Sequence, residues 1–357
     1  MVQFVLLFKI AIALLPALLM LIVCDRFEAF NLVRFRKIVA MLLIGGALAV
    51  IAYFANGALI GALALDFADY SRFVAPLVEE TAKASPIIIL YAANRIGFKI
   101  DAAIIGFAIG TGFSIIENGY QLYLFADASV GVWLVRGLGT AVMHGGATAL
   151  FAVITHELTD EQAVARAADY RLNMLYFIPG LIAAAAIHAG FNLFDERPLL
   201  LMLVAFTVVP LALFAVLSIG EAAARNWILS DNRVHEQILA DIETGTFAGS
   251  EAGLALCAVA DRFGPDLRDE VFDYLKIHTE LVLRAERLLL ARGEPGDCAE
   301  PGAEDRALFD RLNALEARLG KAALRALHPL LHFSRNDLWE MHLLACSVPD
   351  EGRSARP

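Results

Sequence analysis

Three ionisable residues, Glu79, Glu80 and Lys83, lie within five positions of the otherwise apolar run 73–93. An acidic or basic side chain at bilayer depth costs about 2.5–3.5 kcal/mol, so a cluster of them indicates a function. Lys83 follows the two glutamates by four and three residues, a spacing at which it can neutralise one carboxylate. Neighbouring helical residues point about 100° apart, so the two glutamates cannot both point fully into one pocket. One side chain should point into the pocket while the other lies at its edge.

Three further apolar runs contain polar residues of the kind that hydrolytic sites use. They are Glu117 with Asn118, then His144, then His188 with Asn192 four residues later on the same helical face. Peptide hydrolysis needs an activated water, a proton donor for the leaving amine and stabilisation of an oxyanion. Glutamates, histidines and an asparagine can supply these roles, because a carboxylate in a low-dielectric pocket can act as a base near neutral pH.

The composition indicates that these residues are positioned by membrane-spanning helices. The chain is 59% hydrophobic and 19% charged, which is too apolar for an ordinary soluble domain. A membrane-spanning helix needs about 20 apolar residues. The predicted spans are 2–24, 38–60, 73–93, 101–125, 132–155, 172–194 and 199–219. The sequence therefore predicts an all-α, polytopic transmembrane helix bundle of about seven spans, followed by a helical cytoplasmic domain.

The depth of the polar residues predicts that they meet. Basic residues between the first two predicted spans, such as Arg34 and Arg36, place that loop in the cytoplasm. In the resulting topology Glu79 lies about 10 Å below the outer end of its helix. Arg136 is interpreted as an interfacial anchor, which puts His144 at a similar depth. Scattered polar residues would not share one level, so we predict one cavity in the outer half of the membrane.

Residues 221–357 differ in charge from the apolar part. Residues 1–220 carry 13 basic and 15 acidic residues, whereas residues 221–357 carry 16 basic and 24 acidic residues. An acidic region disfavours binding to nucleic acid or to an anionic lipid surface, because both attract positive charge. Amphipathic helices are predicted at 231–243, 250–262, 266–292, 304–327 and 335–346. The sequence therefore predicts an acidic, helical, soluble domain over 221–357.

The polar motifs are similar to those of a known family. The motifs are Glu79-Glu80-x-x-Lys83, Gly112-Phe113-Ser-Ile-Ile-Glu117-Asn118, Met143-His144-Gly145 and His188-Ala-Gly-Phe-Asn192. In order and spacing they resemble the PrsW family, bacterial intramembrane proteases that cleave anti-sigma factors. The wider group of CAAX prenyl proteases and abortive-infection membrane proteins usually has arginine one residue after the position of Lys83, so the PrsW branch fits better. The resemblance covers about 70–195, and the tail resembles nothing recognised.

The resemblance implies roles for individual residues. The implied catalytic residues are Glu79, Glu80, Glu117, His144, His188 and Asn192, supported by Lys83 and Asn118. Glu79 would activate water together with His144, while His188 and Asn192 would form the oxyanion pocket. Glu117 would add a second acid or a metal ligand. Two mechanisms stay open: a metal-free one, and one in which a divalent metal such as zinc is held by Glu80, Glu117, His144 and His188.

The resemblance also implies a cellular context. Residues 1–220 would be a transmembrane protease domain in the bacterial inner membrane, and its substrate a membrane-tethered protein similar to an anti-sigma factor. We predict that 221–357 bind a cytoplasmic partner or mediate self-association. Two other functions stay open, a proton- or cation-coupled transporter and a non-catalytic membrane scaffold, since membrane carboxylates and histidines also serve ion relays. Against transport, the sequence has no inverted repeat of the kind common in transporters.

Overall fold

The protein is described by a computed structural model, and the regular secondary structure of its described residues is entirely helical. The described residues are 2–27, 33–165, 173–194, 196–264, 267–292, 301–327, 330–331, 333 and 335–348. They form eleven helices and no strand when helical segments that continue one another are joined. Helices α1 to α11 are Val2–Phe27, Phe35–Leu63, 67–92, Lys99–Leu124, 130–165, Met174–Leu193, Pro198–Glu243, Glu251–Ala260, Leu267–Arg292, Ala303–Leu327 and Arg335–Ser347.

Six of the described helices are long and apolar enough to cross a membrane, namely α1, α2, α4, α5, α6 and α7. Helix α3, which corresponds to the predicted span 73–93, is not among them. Its central turn carries Glu79, Glu80 and Lys83, so its composition is too polar to qualify. Large apolar side chains such as Leu43 are exposed on the candidate spans, as expected of helices that face lipid. The protein is therefore an all-helical, multi-pass membrane protein with six candidate spans in the described chain.

Helix α4 lies at the centre of this membrane part and is the most buried of the six. A Cβ atom at Gly112 would lie 2.0 Å from the carbonyl oxygen of Leu42 in α2. A Cβ atom at Gly110 would lie 2.2 Å from the carbonyl oxygen of His144 in α5. Only glycine allows backbones to approach this closely. These two glycines therefore allow α2, α4 and α5 to lie in direct backbone contact, and one of those contacts is made by His144 itself.

Helices α3 and α5 each contain one π-helical turn just before their polar residues. The turns are Tyr70–Val74 and Arg136–Thr140. A π-turn accommodates one extra residue within an α-helix and is frequent at functional sites. Because each α-helical residue advances by about 100°, the extra residue changes which side chains share a face. Nothing in the sequence analysis predicted either turn.

By its internal contacts the chain forms two compact units. One contains residues 1–159 and 172–221, and the other contains residues 222–357 and 160–171. The second unit has an apolar core of its own from α8 to α11, which includes Leu256, Leu281 and Leu312. The four helices predicted from 250 onward match α8 to α11 within a few residues, and the predicted helix 231–243 is the last part of α7. The functional division into a protease domain at 1–220 and a soluble domain at 221–357 stays a prediction.

Candidate active site

Glu80 is the buried carboxylate to which two other site residues bind. Its Oε1 atom lies 2.5 Å from Nζ of Lys83 and 2.9 Å from Nδ1 of His188. All three side chains are buried. Because a carboxylate only accepts hydrogen bonds, Nδ1 of His188 donates, and in the neutral imidazole Nε2 then keeps a lone pair. A carboxylate behind a histidine in this way is the arrangement that orients metal-binding histidines.

His144 lies on the other side of Lys83, and each of its ring nitrogens has a charged neighbour. Nζ of Lys83 lies 2.9 Å from Nδ1 of His144 and 4.6 Å from the centre of the Phe113 ring. An ammonium group only donates, so Nδ1 accepts and Nε2 carries the ring proton. Nε2 lies 2.8 Å from Oε2 of Glu117. The two atoms are close enough for a hydrogen bond, but the N–H group is not directed at the oxygen. Within the described chain, Oε2 of Glu117 therefore has no hydrogen-bond partner.

Glu117 is held from its other side by Arg136. The guanidinium lies 2.7 Å from Oε1 of Glu117, and its Nε donates to Oδ1 of Asn118 at 2.9 Å. The interpretation of Arg136 as an interfacial anchor was therefore incomplete, because its charged end binds two predicted site residues. Eight regular helical steps would separate Arg136 and His144 by about 80°, and the extra residue of the π-turn reduces this to about 20°. The turn thus brings both side chains to one face of α5.

Glu79 has a separate set of contacts that the sequence analysis missed. Its Oε1 accepts a hydrogen bond from Nδ2 of Asn56 at 3.1 Å, and Oδ1 of Asn56 accepts one from the hydroxyl of Tyr70 at 2.9 Å. Oε2 of Glu79 lies 3.9 Å from Nε2 of His188. Asn56 is the one side-chain amide in the predicted span 38–60, which was an available signal. It was overlooked because a single neutral amide costs far less in a membrane than a charge.

Glu79, His144 and His188 can together hold a metal ion. One donor atom from each residue lies within 4.8 Å of the others. Two imidazoles and one carboxylate are among the ligand sets of catalytic zinc sites. The residues present therefore fit a divalent metal. The ligand set predicted from the sequence used Glu80 and Glu117 as the carboxylates and stays a prediction, whereas the grouping of donor atoms places Glu79 with the two histidines.

The two asparagines of the motifs bind the backbone near the π-turns. Nδ2 of Asn192 donates to the carbonyl of Ser71 at 3.0 Å. Nδ2 of Asn118 donates to the carbonyls of Ala13 at 3.0 Å and Arg136 at 3.4 Å. In a membrane, backbone groups disturbed by an irregular turn need partners from the protein, and these amides supply them. The oxyanion role predicted for Asn192 stays a prediction.

The family comparison agrees with this geometry. Residues 34–219, slightly more than half of the chain, match the family described as PrsW family intramembrane metalloprotease. The chain belongs to this family. Its family implies that it is a peptide hydrolase that acts on a protein substrate. No curated protein and no solved structure matches the chain.

Membership in the PrsW family bears on the alternatives that the sequence left open. A family of metalloproteases favours the metal-dependent mechanism over the metal-free one. It also disfavours the transporter and scaffold alternatives, because neither hydrolyses a peptide bond. The PrsW match contains every predicted site residue and stops at residue 219, so it provides no function for the tail.

A separate apolar cavity of about 400 Å³ lies between α5, α6 and α7 of the PrsW region. It is lined by apolar residues that include Met143, Ile187 and Phe191. Met143 and Ile187 are the sequence neighbours of the two site histidines, but no predicted site residue lines the cavity. The chemistry of the site therefore lies with the buried polar cluster and not with this cavity.

Proposed function

We propose that the chain hydrolyses a peptide bond of a membrane-tethered protein at Glu79, His144 and His188, and that these residues hold a divalent metal such as zinc. The convergence of their donor atoms within 4.8 Å, inside the region matched by a metalloprotease family, carries the proposal. When bound, the metal supplies Lewis acidity for a water and for the scissile carbonyl.

Glu80 and Lys83 are proposed as positioning residues. Glu80 accepts from Nδ1 of His188 and thereby keeps Nε2, which faces Glu79, free of a proton. The ammonium of Lys83 neutralises Glu80 within the buried site. His144 has no free nitrogen in this arrangement. It would join the ligand set once Lys83 withdraws from Nδ1.

Glu117 is proposed as the base that takes the proton of the attacking water and returns it to the leaving amine. Arg136 occupies Oε1 of this carboxylate, while Oε2 has no hydrogen-bond partner and lies beside His144. This role differs from the one implied by the resemblance, in which Glu79 activates the water. Asn192 uses one of its two amide protons on Ser71, and the second is proposed to stabilise the oxyanion.

We further propose that α3 is a seventh span and that the tail lies in the cytoplasm of a bacterial cell, with the protein in the inner membrane. The charges of α3 support this assignment, because Glu80 and Lys83 pair inside the protein and not against lipid. Loop charges orient the chain so that the site lies in the outer half of the membrane. A single-span protein similar to an anti-sigma factor is the proposed substrate.

The test uses the purified full chain, reconstituted with a panel of single-span reporter proteins. We expect cleavage that stops when a chelator removes the metal and returns when zinc is added. Glu79→Gln should reduce cleavage by at least about a hundredfold, because it removes a charged ligand. Metal analysis of the same samples should show less bound zinc in the variant.

Glu157→Gln is the matched control, since Glu157 lies in α5 of the same unit and is exposed in an ion pair with Lys99. It should cleave and bind zinc as the natural protein does. Cleavage that continues unchanged in Glu79→Gln and in chelator would refute the proposal.

A further inference from the structure

A second group of acids and a histidine lies in the compact unit formed by residues 222–357 and 160–171. We call Asp231, His235, Glu286, Asp337 and Glu340 the tail cluster. Asp231 and His235 are four residues apart in α7, Glu286 is in α9, and Asp337 and Glu340 are three residues apart in α11. The i, i+4 and i, i+3 spacings place each pair on one face of its helix. Three helices thus contribute to one cluster.

The geometry of the tail cluster is compact. One donor atom from each of Asp231, His235, Glu286 and Asp337 lies within 4.8 Å of the others. Nδ1 of His235 lies 2.8 Å from Oε1 of Glu286, and Nε2 lies 3.8 Å from Oδ2 of Asp337. Nδ2 of Asn232 donates to Oε2 of Glu286 at 2.9 Å.

The cluster is buried, unlike ordinary acidic patches on a protein surface. Glu286 and Glu340 are 0% exposed, Asp337 is 1% exposed and His235 is 3% exposed. Removing several carboxylates from water without neutralising them is strongly unfavourable, so a buried acidic cluster needs cations or protons. One imidazole is shared among four carboxylates here.

Among the described residues, neither carboxylate oxygen of Glu340 has a hydrogen-bond partner, and neither does Oδ2 of Asp231. A buried polar group without a partner is unfavourable. Burial raises the pKa of Glu340 well above its usual range, and the nearby charges of Glu286, Asp337 and Asp231 raise it further. Glu340 therefore lies near the four residues whose donor atoms converge, on the same helical face as Asp337, with both of its oxygens unpartnered within the described chain.

We propose that the tail cluster is a second divalent-metal site, held by Asp231, His235, Glu286 and Asp337, with Glu340 as an additional oxygen ligand. Carboxylates suit Mg²⁺, Ca²⁺ and Mn²⁺, whereas imidazole suits transition metals. A set of several carboxylates and one imidazole therefore fits a divalent transition metal that accepts oxygen, such as Mn²⁺. The bound ion ties α7, α9 and α11 together, and it is independent of the proposed peptidase chemistry.

Manganese counting on the purified full chain tests this site. The protein is saturated with Mn²⁺, dialysed, and analysed for metal and by electron paramagnetic resonance. After dialysis, we expect Glu286→Gln to retain about one ion per chain fewer than the natural protein. The reason is that the affinity of the tail cluster for Mn²⁺ should fall at least about tenfold. The same difference should persist in a His188→Ala background, which separates the tail site from the membrane site.

Asp269→Asn is the matched control, because Asp269 is an exposed acid on the same helix as Glu286. It should bind as much manganese as the natural protein. An unchanged manganese count in Glu286→Gln, in both backgrounds, would overturn the proposal and leave shared protons as the explanation of the cluster.

Glu340→Gln provides a second test that does not depend on how well Glu286→Gln folds. Mn²⁺ should raise the melting temperature of the natural protein, and the rise should be smaller in Glu340→Gln because a ligand is lost. Without metal, the variant should melt no earlier than the natural protein, because glutamine cannot acquire the negative charge that burial and the neighbouring acids disfavour. An equal manganese-induced rise in both proteins would contradict the assignment of Glu340.

Discussion

The membrane cluster and the tail cluster are built from the same side chains but differ in how charge is balanced. The membrane cluster consists of Glu79, Glu80, Glu117, His144 and His188, with Lys83 and Arg136 beside it. There, Glu80 pairs with Lys83 and Glu117 pairs with Arg136. In the tail cluster His235 contacts two acids, while both oxygens of Glu340 lack a hydrogen-bond partner.

This difference separates two ways of keeping acids inside a protein. In the membrane cluster, cationic side chains neutralise two carboxylates and leave Glu79 beside the histidines. In the tail cluster the acids outnumber the imidazole, so the neutralising charge has to come from a bound cation or from protons. Removing a cation should therefore destabilise the first cluster, whereas removing an acid should be tolerated in the second.

The largest effect is expected from Lys83→Met. Lys83 is fully buried between Glu80 and His144, and its loss leaves the carboxylate of Glu80 with His188 as its remaining partner. Breaking a buried ion pair from one side typically costs about 3–5 kcal/mol. We expect this loss in the free energy of unfolding, measured by denaturing titration in mixed micelles. The double variant Lys83→Met with Glu80→Gln should recover most of it; a double variant as unstable as the single one would show that charge balance is not the cause.

Gly110→Ala should have the next largest effect, because it tests whether backbone contact fixes the membrane cluster. The added Cβ atom would lie 2.2 Å from the carbonyl oxygen of His144, and backbone cannot rotate away as a side chain can. Overpacking of this kind costs about 1–3 kcal/mol, and it should also displace His144 and lower the cleavage rate. Gly119→Ala is the matched control, since nothing lies within 4 Å of its Cβ position on the same helix. Equal rates in the two variants would mean that α4 and α5 can separate freely.

A smaller effect is expected from Arg136→Lys. Lysine keeps the charge beside Glu117 but cannot also donate to Asn118 through a planar guanidinium. We expect a loss of about 1 kcal/mol in stability and a reduced cleavage rate with little change in substrate KM, because Glu117 is oriented less well. Arg136→Met should be clearly worse than Arg136→Lys. Identical behaviour of the two variants would remove the argument that Arg136 orients Glu117.

The smallest effect is expected at Asp261, an exposed acid in the same compact unit as the tail cluster. The hydrogen bond from Arg268 lowers the pKa of Asp261 below its usual range. A lowered pKa stabilises the folded state above the ordinary carboxyl pKa, and this stabilisation disappears as pH falls through the lowered value. Because the pair is exposed and screened by solvent, Asp261→Asn should change the melting temperature only slightly at neutral pH and not at all in acid. A large change at neutral pH would mean that surface pairing also matters in this unit.

The sequence reveals much of the membrane cluster because the membrane makes polar residues rare. Glu79, His144 and His188 are visible as exceptions in apolar runs, and their helices follow from the length of those runs. The side chains of the tail cluster are hidden in the sequence for the opposite reason. Asp231 and Glu340 lie among many other charged residues, so nothing in the local pattern separates a buried acid from a solvated one.

Other parts of the site could not be predicted because they depend on helix register. A regular helix turns Arg136 away from His144, and the π-turn restores a common face. The contact between Asn56 and Glu79 depends on the packing of α2 against α3. The site also affects how many spans can be identified from hydropathy. The charges of α3 lower its mean hydropathy below that of the six candidate spans.

The π-turns have a consequence for how such a site tolerates insertions and deletions. Each turn contains one residue more than an uninterrupted α-helix would use, so deleting a single residue there could restore regular winding. The span would be shortened by only about 1.5 Å, which a bilayer accommodates readily. With one of residues 137–140 deleted, Arg136 and His144 would lie seven regular helical steps apart, a rotation of about 700°, so the two side chains would keep a common face. Loss of the bulge by deletion should thus leave the reaction centre assembled, whereas one further residue inserted there would turn the arginine about 100° away from its glutamate.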